Sequence, residues 1–170
     1  MNKGFTLVEI LMAVLIVGLL VAMAVPMYEK TIEKSRITEV RVTLKRIYEA
    51  KRRLLDLQEV TTYATTDFGF ENLDFSFVCI GGSTTENNHV VSCSTKDFTF
   101  VLKPEGTSNE NAVCAVRRSG DNKGVNFLYK GEDEPDPDVR FLCNDGDVPG
   151  ASCNAFGLNS TGSTMWCTPN

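Results

Sequence analysis

A single carboxylate, Glu9, interrupts a run that is otherwise uncharged from Gly4 to Tyr28 at the amino terminus of this 170-residue chain. Inside a membrane-length segment a carboxylate costs about 2.5 to 3.5 kcal/mol even on lenient insertion scales, so one is kept there for a partner or a task. Chemistry is also available elsewhere. Cys79, Cys93, Cys114, Cys143, Cys153 and Cys167 are an even set of thiols confined to the carboxy-terminal two thirds. "GEDEPDPDVRFLCNDGD" (131–147) gathers Glu132, Asp133, Glu134, Asp136, Asp138, Asp145 and Asp147, hard oxygen donors of the kind calcium takes.

The cysteines point to an oxidising compartment and to disulfides. Zinc is the rival, but there is no C-x-x-C pair and His89 is the sole histidine, so the ligand spacing of a zinc site is missing. The sequence does not choose a connectivity; Cys79 with Cys93 is a first expectation because they fall on consecutive predicted strands. The acidic stretch lacks EF-hand spacing and reads first as a solvated loop, with calcium as the alternative and no cofactor expected. His89 has no nucleophile with a recognisable signature near it and reads as a strand residue. The chain is therefore not expected to be an enzyme. "NST" (159–161) is formally a glycosylation sequon and carries little weight.

The elements that must position these groups follow from periodicity. "ILMAVLIVGLLVAMAV" (10–25) is apolar throughout apart from Gly18. As a helix from Phe5 to Val25 it reaches roughly 31 Å, enough to cross a bilayer core. Lys3 before it predicts a cytoplasmic amino end. Gly18 and Pro26 predict a kink or local unwinding between them. Beyond Pro26, Ile37, Val40, Leu44, Ile47 and Leu54 recur at helical spacing among Lys, Arg and Glu, so an amphipathic helix continues over 27–58. After Val60 the texture becomes short alternating runs: 75–80, 89–94, 98–103, 112–118, 125–130 and 139–143 read as strands separated by Gly-, Asn- and Asp-rich turns. The class is α+β, with an antiparallel sheet whose apolar face the amphipathic helix covers. The tail from Asn144 reads as an irregular loop held by Cys153 and Cys167.

Charge is divided along the chain. Residues 29–53 hold nine Lys/Arg and four Asp/Glu, whereas residues 54–170 hold seven and seventeen. Either the basic face is simply solvated, or it packs against the acidic domain of another copy. An acidic exterior makes nucleic acid an unexpected partner.

Two processing schemes compete for the leader. "VAMA" (21–24) offers the small-x-small pattern of a secretory signal cut after Ala24. A disposable apolar core has no use for Glu9, which argues against it. The segment "KGFTLVEILMAVLIVGLLVAMAVPMYEKTIEKSR", with Lys3, Gly4, Phe5, Leu7, Glu9 and Pro26, resembles the amino terminus of type IV pilins and of the type II secretion pseudopilins. "KDFTF" (96–100) and a pair such as Cys143 with Cys153 are more faintly similar to the globular part of some pilins. No pseudopilin calcium loop is evident.

The resemblance implies prepilin peptidase cleavage after Gly4, N-methylation of Phe5, and a lollipop fold with one long helix packed on a small antiparallel sheet and a disulfide-bonded carboxy-terminal region. It implies residues 1–4 as leader, 5–26 as transmembrane and assembly helix, 27–58 as amphipathic helix and 59–170 as globular domain. The expected function is a structural subunit of a type IV pilus. Its partners would be other copies of the chain, the peptidase, the inner-membrane assembly machinery and, before assembly, the membrane. The precursor would be single-pass, and the product an extracellular pilus or a periplasmic filament. The alternatives are a pseudopilin or minor competence pilin and, from another class, a secreted disulfide-rich binding domain. In the filament reading, cleavage leaves an ammonium on Phe5, and Glu9 of one subunit would meet the Phe5 amine of a neighbour; pairing within one chain is the alternative.

Overall fold

A computed structural model describes residues 4, 6–57, 68–76, 78–80, 85–86, 89–102, 111–132, 134–146, 152–162 and 167. Helix α1, Leu7–Leu57, runs for 51 residues with Pro26 inside it. The local unwinding expected between Gly18 and Pro26 is not adopted. A proline removes one donor and crowds one carbonyl, a local perturbation that the helical bonding on either side absorbs.

The strands are β1 (Thr85–Glu86), β2 (His89–Val90), β3 (Ser92–Ser94), β4 (Phe98–Val101), β5 (Val113–Arg117), β6 (Asn126–Tyr129) and β7 (Phe141–Asn144). β1 and β2 pair alone, and β3 to β7 form a five-stranded antiparallel meander in chain order. Two expectations need correction. Within 75–80 the described residues, 75–76 and 78–80, form no strand: Ile80 N–H donates to Ser94 O at 2.8 Å, but Val78 and Ile80 stay exposed, so they offer no buried face to hold a ladder. The run 89–94 divides at Val91 into β2 and β3, which belong to different sheets.

Alternation assigns the two faces of the meander. Phe98, Phe100, Val113, Ala115, Phe127, Tyr129 and Cys143 share one core with Ile37, Val40, Leu44, Ile47, Tyr48 and Leu55 of α1. Leu54 packs at its edge. Each such buried aliphatic or aromatic side chain contributes about 1.5 to 3 kcal/mol. The opposite residues, Cys114, Val116 and Leu128, form a smaller cluster with Cys167.

Three disulfides brace this domain: Cys79–Cys93, Cys114–Cys167 and Cys143–Cys153. Cys79 pairs with Cys93 although the segment that carries Cys79 is not a strand. Cys114–Cys167 joins the tail to the sheet face away from the helix. The tail also contains a short 3-10 turn, Cys153–Phe156, whose Phe156 meets Phe127 edge-on at 5.1 Å.

Candidate functional site

The amino end of α1 is set by Thr6. Its Oγ1 accepts the Glu9 backbone N–H at 3.3 Å, and its carbonyl accepts Ile10 N–H at 3.3 Å. Thr6-Leu7-Val8-Glu9 therefore has the spacing of a helix capping box, a local signal that sequence reasoning passed over. Glu9 stands in the first turn, where the helix dipole favours a carboxylate, and it is exposed. Gly4 is exposed with open space around it, and so is Gly18. Phe5 and Lys3 lie outside the described residues.

From Leu7 to Met27 none of the described residues covers the helix. Leu7 is 75% exposed and Met27 72%, and every residue between them is exposed. Leu, Ile, Val and Met surround the whole circumference here. A helix apolar all round is stable only when buried in a bilayer or among other helices. The globular domain covers α1 only further along, where buried positions begin at Ile37.

The junction between the free and covered halves is ionic. Arg117, at the end of β5, lies on the sheet face that meets α1 and is fully buried. Its guanidinium reaches Glu33 of α1 at 3.1 Å and Asp97 at 2.8 Å, and stacks over Phe98 at 5.0 Å. Arg36 adds contacts to Glu33 at 2.9 Å and to Asp97 at 3.6 Å. Burial pushes the Glu33 carboxyl above its ordinary value, with Arg36 opposing. Further up the helix Lys51 is also fully buried, and its Nζ donates to Leu102 O at 2.8 Å and Ala112 O at 3.1 Å, tying α1 to β4 and to the approach to β5. Neither buried cation was anticipated from sequence. Followed to its end, the alternation Val113, Ala115, Arg117 within "AVCAVRR" would have put Arg117 on the core face.

Other contacts spend the charge division inside the chain. Arg53 grips Asp74 with two bonds, of 2.6 and 2.9 Å. Glu132 of the acidic stretch accepts from Lys45 at 3.0 Å, Tyr129 at 3.1 Å and Arg140 at 3.0 Å. These donors, Lys45 foremost, hold the Glu132 carboxyl below its ordinary value. Part of the basic helix thus answers the acidic domain of its own chain, an arrangement not weighed from sequence. His89, in β2, meets Glu71 at 2.8 Å, and Glu71 also accepts Val90 N–H at 3.1 Å. Among the described residues no group of three or more His, Cys, Asp or Glu side chains is placed to hold a metal ion. Asp133 and Asp147 lie outside those residues.

Residues 1–25 match the family model described as the prokaryotic N-terminal methylation motif. The chain is similar to the type IV major pilin protein PilA of Myxococcus xanthus, 32% identical over 69 residues, covering 41% of this chain and 31% of that protein. It is 28% identical over 131 residues to a fimbrial protein of Pseudomonas aeruginosa, covering 71% of this chain and 81% of that one. The chain is thus similar to type IV pilin and fimbrial proteins, through the methylation motif at its amino terminus and these partial matches. It shares 42% identity over 40 residues with the type IV major fimbrial protein FimA of Dichelobacter nodosus, 24% of this chain and 26% of FimA. The chain spans under a third of the Myxococcus and Dichelobacter proteins in those matches. No solved structure matches it at a significant level.

Proposed function

We propose that this chain is a pilin, a structural subunit of a type IV pilus with no enzymatic role, assembled by bundling of its amino-terminal helices. The observation that carries the reading is the uncovered apolar half of α1, Leu7 to Met27. The bilayer buries it in the precursor and neighbouring helices bury it in the fibre. The relatives named as major pilin and fimbrial proteins favour a pilus over a secretion pseudopilus.

In this scheme residues 1–4 are a leader on the cytoplasmic side, removed by prepilin peptidase after Gly4, and Phe5 becomes the methylated amino terminus. Residues 5–26 form the membrane and assembly segment, 27–58 the amphipathic helix and 59–170 the globular domain outside the membrane. Gly18 and Pro26 are the positions at which the helix bends to fit the bundle. Glu9 takes the Phe5 amine of an adjacent subunit. Leu, Ile and Val burial provides stability, and the pair fixes axial register, because an unmatched charge in that core is heavily penalised. Inner-membrane assembly machinery lifts the subunit out of the bilayer into the fibre.

Amino-terminal sequencing and intact mass of the mature protein test the scheme. Methylated Phe5 is expected. A mature protein beginning at Val25 would instead make this a secreted disulfide-rich module, and an intact Met1 would remove the processing step.

A further inference from the structure

The underside of the globular domain holds a cleft that filament assembly does not use in the scheme above. It has a volume of about 410 Å³ and lies between the first turns of α1 past Pro26 and the β5–β6 turn, with Glu29, Lys30, Glu33, Asp121 and Asn122 among its walls. We propose that it binds the headgroup of a phosphatidylethanolamine-type lipid, the ammonium on Asp121 and Glu29 and the phosphate on Lys30. This rests on the reading that α1 anchors the precursor in a membrane.

Depth is the first argument. The exposed apolar surface ends at Met27, followed by the exposed ring of Tyr28, an amphipathic residue suited to the water–hydrocarbon boundary. At 1.5 Å per residue, Glu29 and Lys30 stand roughly 3 to 5 Å beyond Met27 along the axis. The headgroup layer is about 5 to 7 Å deep on each side of the hydrocarbon. The cleft mouth therefore lies level with phosphates and amines.

Charge is the second. Glu33 and Arg36, in the same cleft, are already bound to each other at 2.9 Å. Among the described residues Glu29, Lys30 and Asp121 make no ion pair and no side-chain hydrogen bond. Two carboxylates and one ammonium remain for a ligand. That set complements a zwitterion that presents N–H donors and a phosphate, through charge-assisted bonds. An anionic headgroup without an amine would leave both carboxylates unanswered, and a quaternary choline has no N–H to donate.

Preorganisation is the third. The turn that carries Asp121 is fixed from within: Lys123 N–H donates to Gly120 O at 3.1 Å and Val125 N–H to Asn122 O at 3.2 Å. Asn122 Oδ1 takes Ser152 N–H at 3.3 Å, which ties the turn to the disulfide-held tail. Gly120 supplies a φ of 77°, a left-handed geometry that side chains resist. A bound headgroup would hold the domain upright on the membrane until the subunit is drawn into the fibre.

The test uses the full-length chain in vesicles of phosphatidylethanolamine and phosphatidylglycerol, and in vesicles with phosphatidylcholine replacing the first lipid. Flotation reports insertion. Native mass spectrometry after mild detergent extraction counts the lipid retained. One phosphatidylethanolamine per chain is expected, retained about tenfold more than phosphatidylcholine, and Asp121→Asn or Lys30→Gln should each reduce retention about tenfold with flotation unchanged. Equal retention of both lipids, or retention unmoved by both substitutions, would overturn the headgroup site and leave the membrane reading standing. Failure to float with either vesicle would overturn both.

Discussion

Arg117 of β5 and Glu33 of α1 are 84 residues apart in sequence and 3.1 Å apart in space, and the arginine side chain is completely buried. This contact, reinforced by Asp97, fastens the sheet to the helix just where the helix leaves the domain. A buried pair is weak evidence of net stability, but removing one member strands the other.

Arg117→Ala should destabilise the domain by roughly 3 kcal/mol, the low end for a broken buried pair, because Arg36 still reaches Glu33 and Asp97. Glu33→Gln should be milder, since Asp97 still answers the guanidinium and a carboxyl that resists ionisation is removed. Urea unfolding of the detergent-solubilised chain compares the two. Equal, small losses would mean that the contact does not fasten helix to sheet.

Tyr129 gives an alkaline signature. Burial, followed by its hydrogen bond to Glu132, pushes its phenol from 10.0 up to about 12. Between those two values the unfolded chain has released this proton and the folded chain has not, so stability falls as pH rises. Below about 10 the contribution is complete. Tyr129→Phe should lose less stability than the parent over that window. Thermal unfolding across the alkaline range, with tyrosinate absorbance, measures it, and parallel curves for the two proteins would refute it.

The bridge Cys114–Cys167 spans 53 residues and holds the tail to the far face of the sheet. Replacing both cysteines with serine should destabilise the domain by about 2 to 5 kcal/mol. It should also expose the tail to limited proteolysis ahead of global unfolding. Unchanged cleavage kinetics would show that the tail is held without the bridge.

Glu9→Val should separate insertion from assembly. Loss of the carboxylate eases residence in the bilayer, so cleavage and insertion should persist, while fibres become scarce because a neighbour's amine is buried unpaired at a penalty of several kcal/mol. Co-expression with the native subunit should restore partial incorporation. Thr6→Ala, which removes the acceptor of Glu9 N–H, controls for helix capping: it should weaken the first turn by about 1 kcal/mol and leave fibre yield unchanged. Abundant ordered fibres of Glu9→Val alone would show that the carboxylate serves the helix end and not the register.

The sequence by itself determined what repeats locally. The apolar run, the spacing of Ile37, Val40, Leu44 and Ile47, and the alternation within 98–103, 112–118, 125–130 and 139–143 were each legible, because 3.6- and 2-residue periods are written in neighbouring side chains. The restriction of all six cysteines to one region was legible as well. Tertiary structure alone decided which of them join, and that residues 78–80 are not in a strand, since both depend on what lies opposite. It also decided that Arg117 and Lys51 go inside. A cation is buried only where carboxylates or carbonyls meet it with good geometry, and those partners, Glu33, Asp97, Leu102 and Ala112, come from 20 to 84 residues away along the chain.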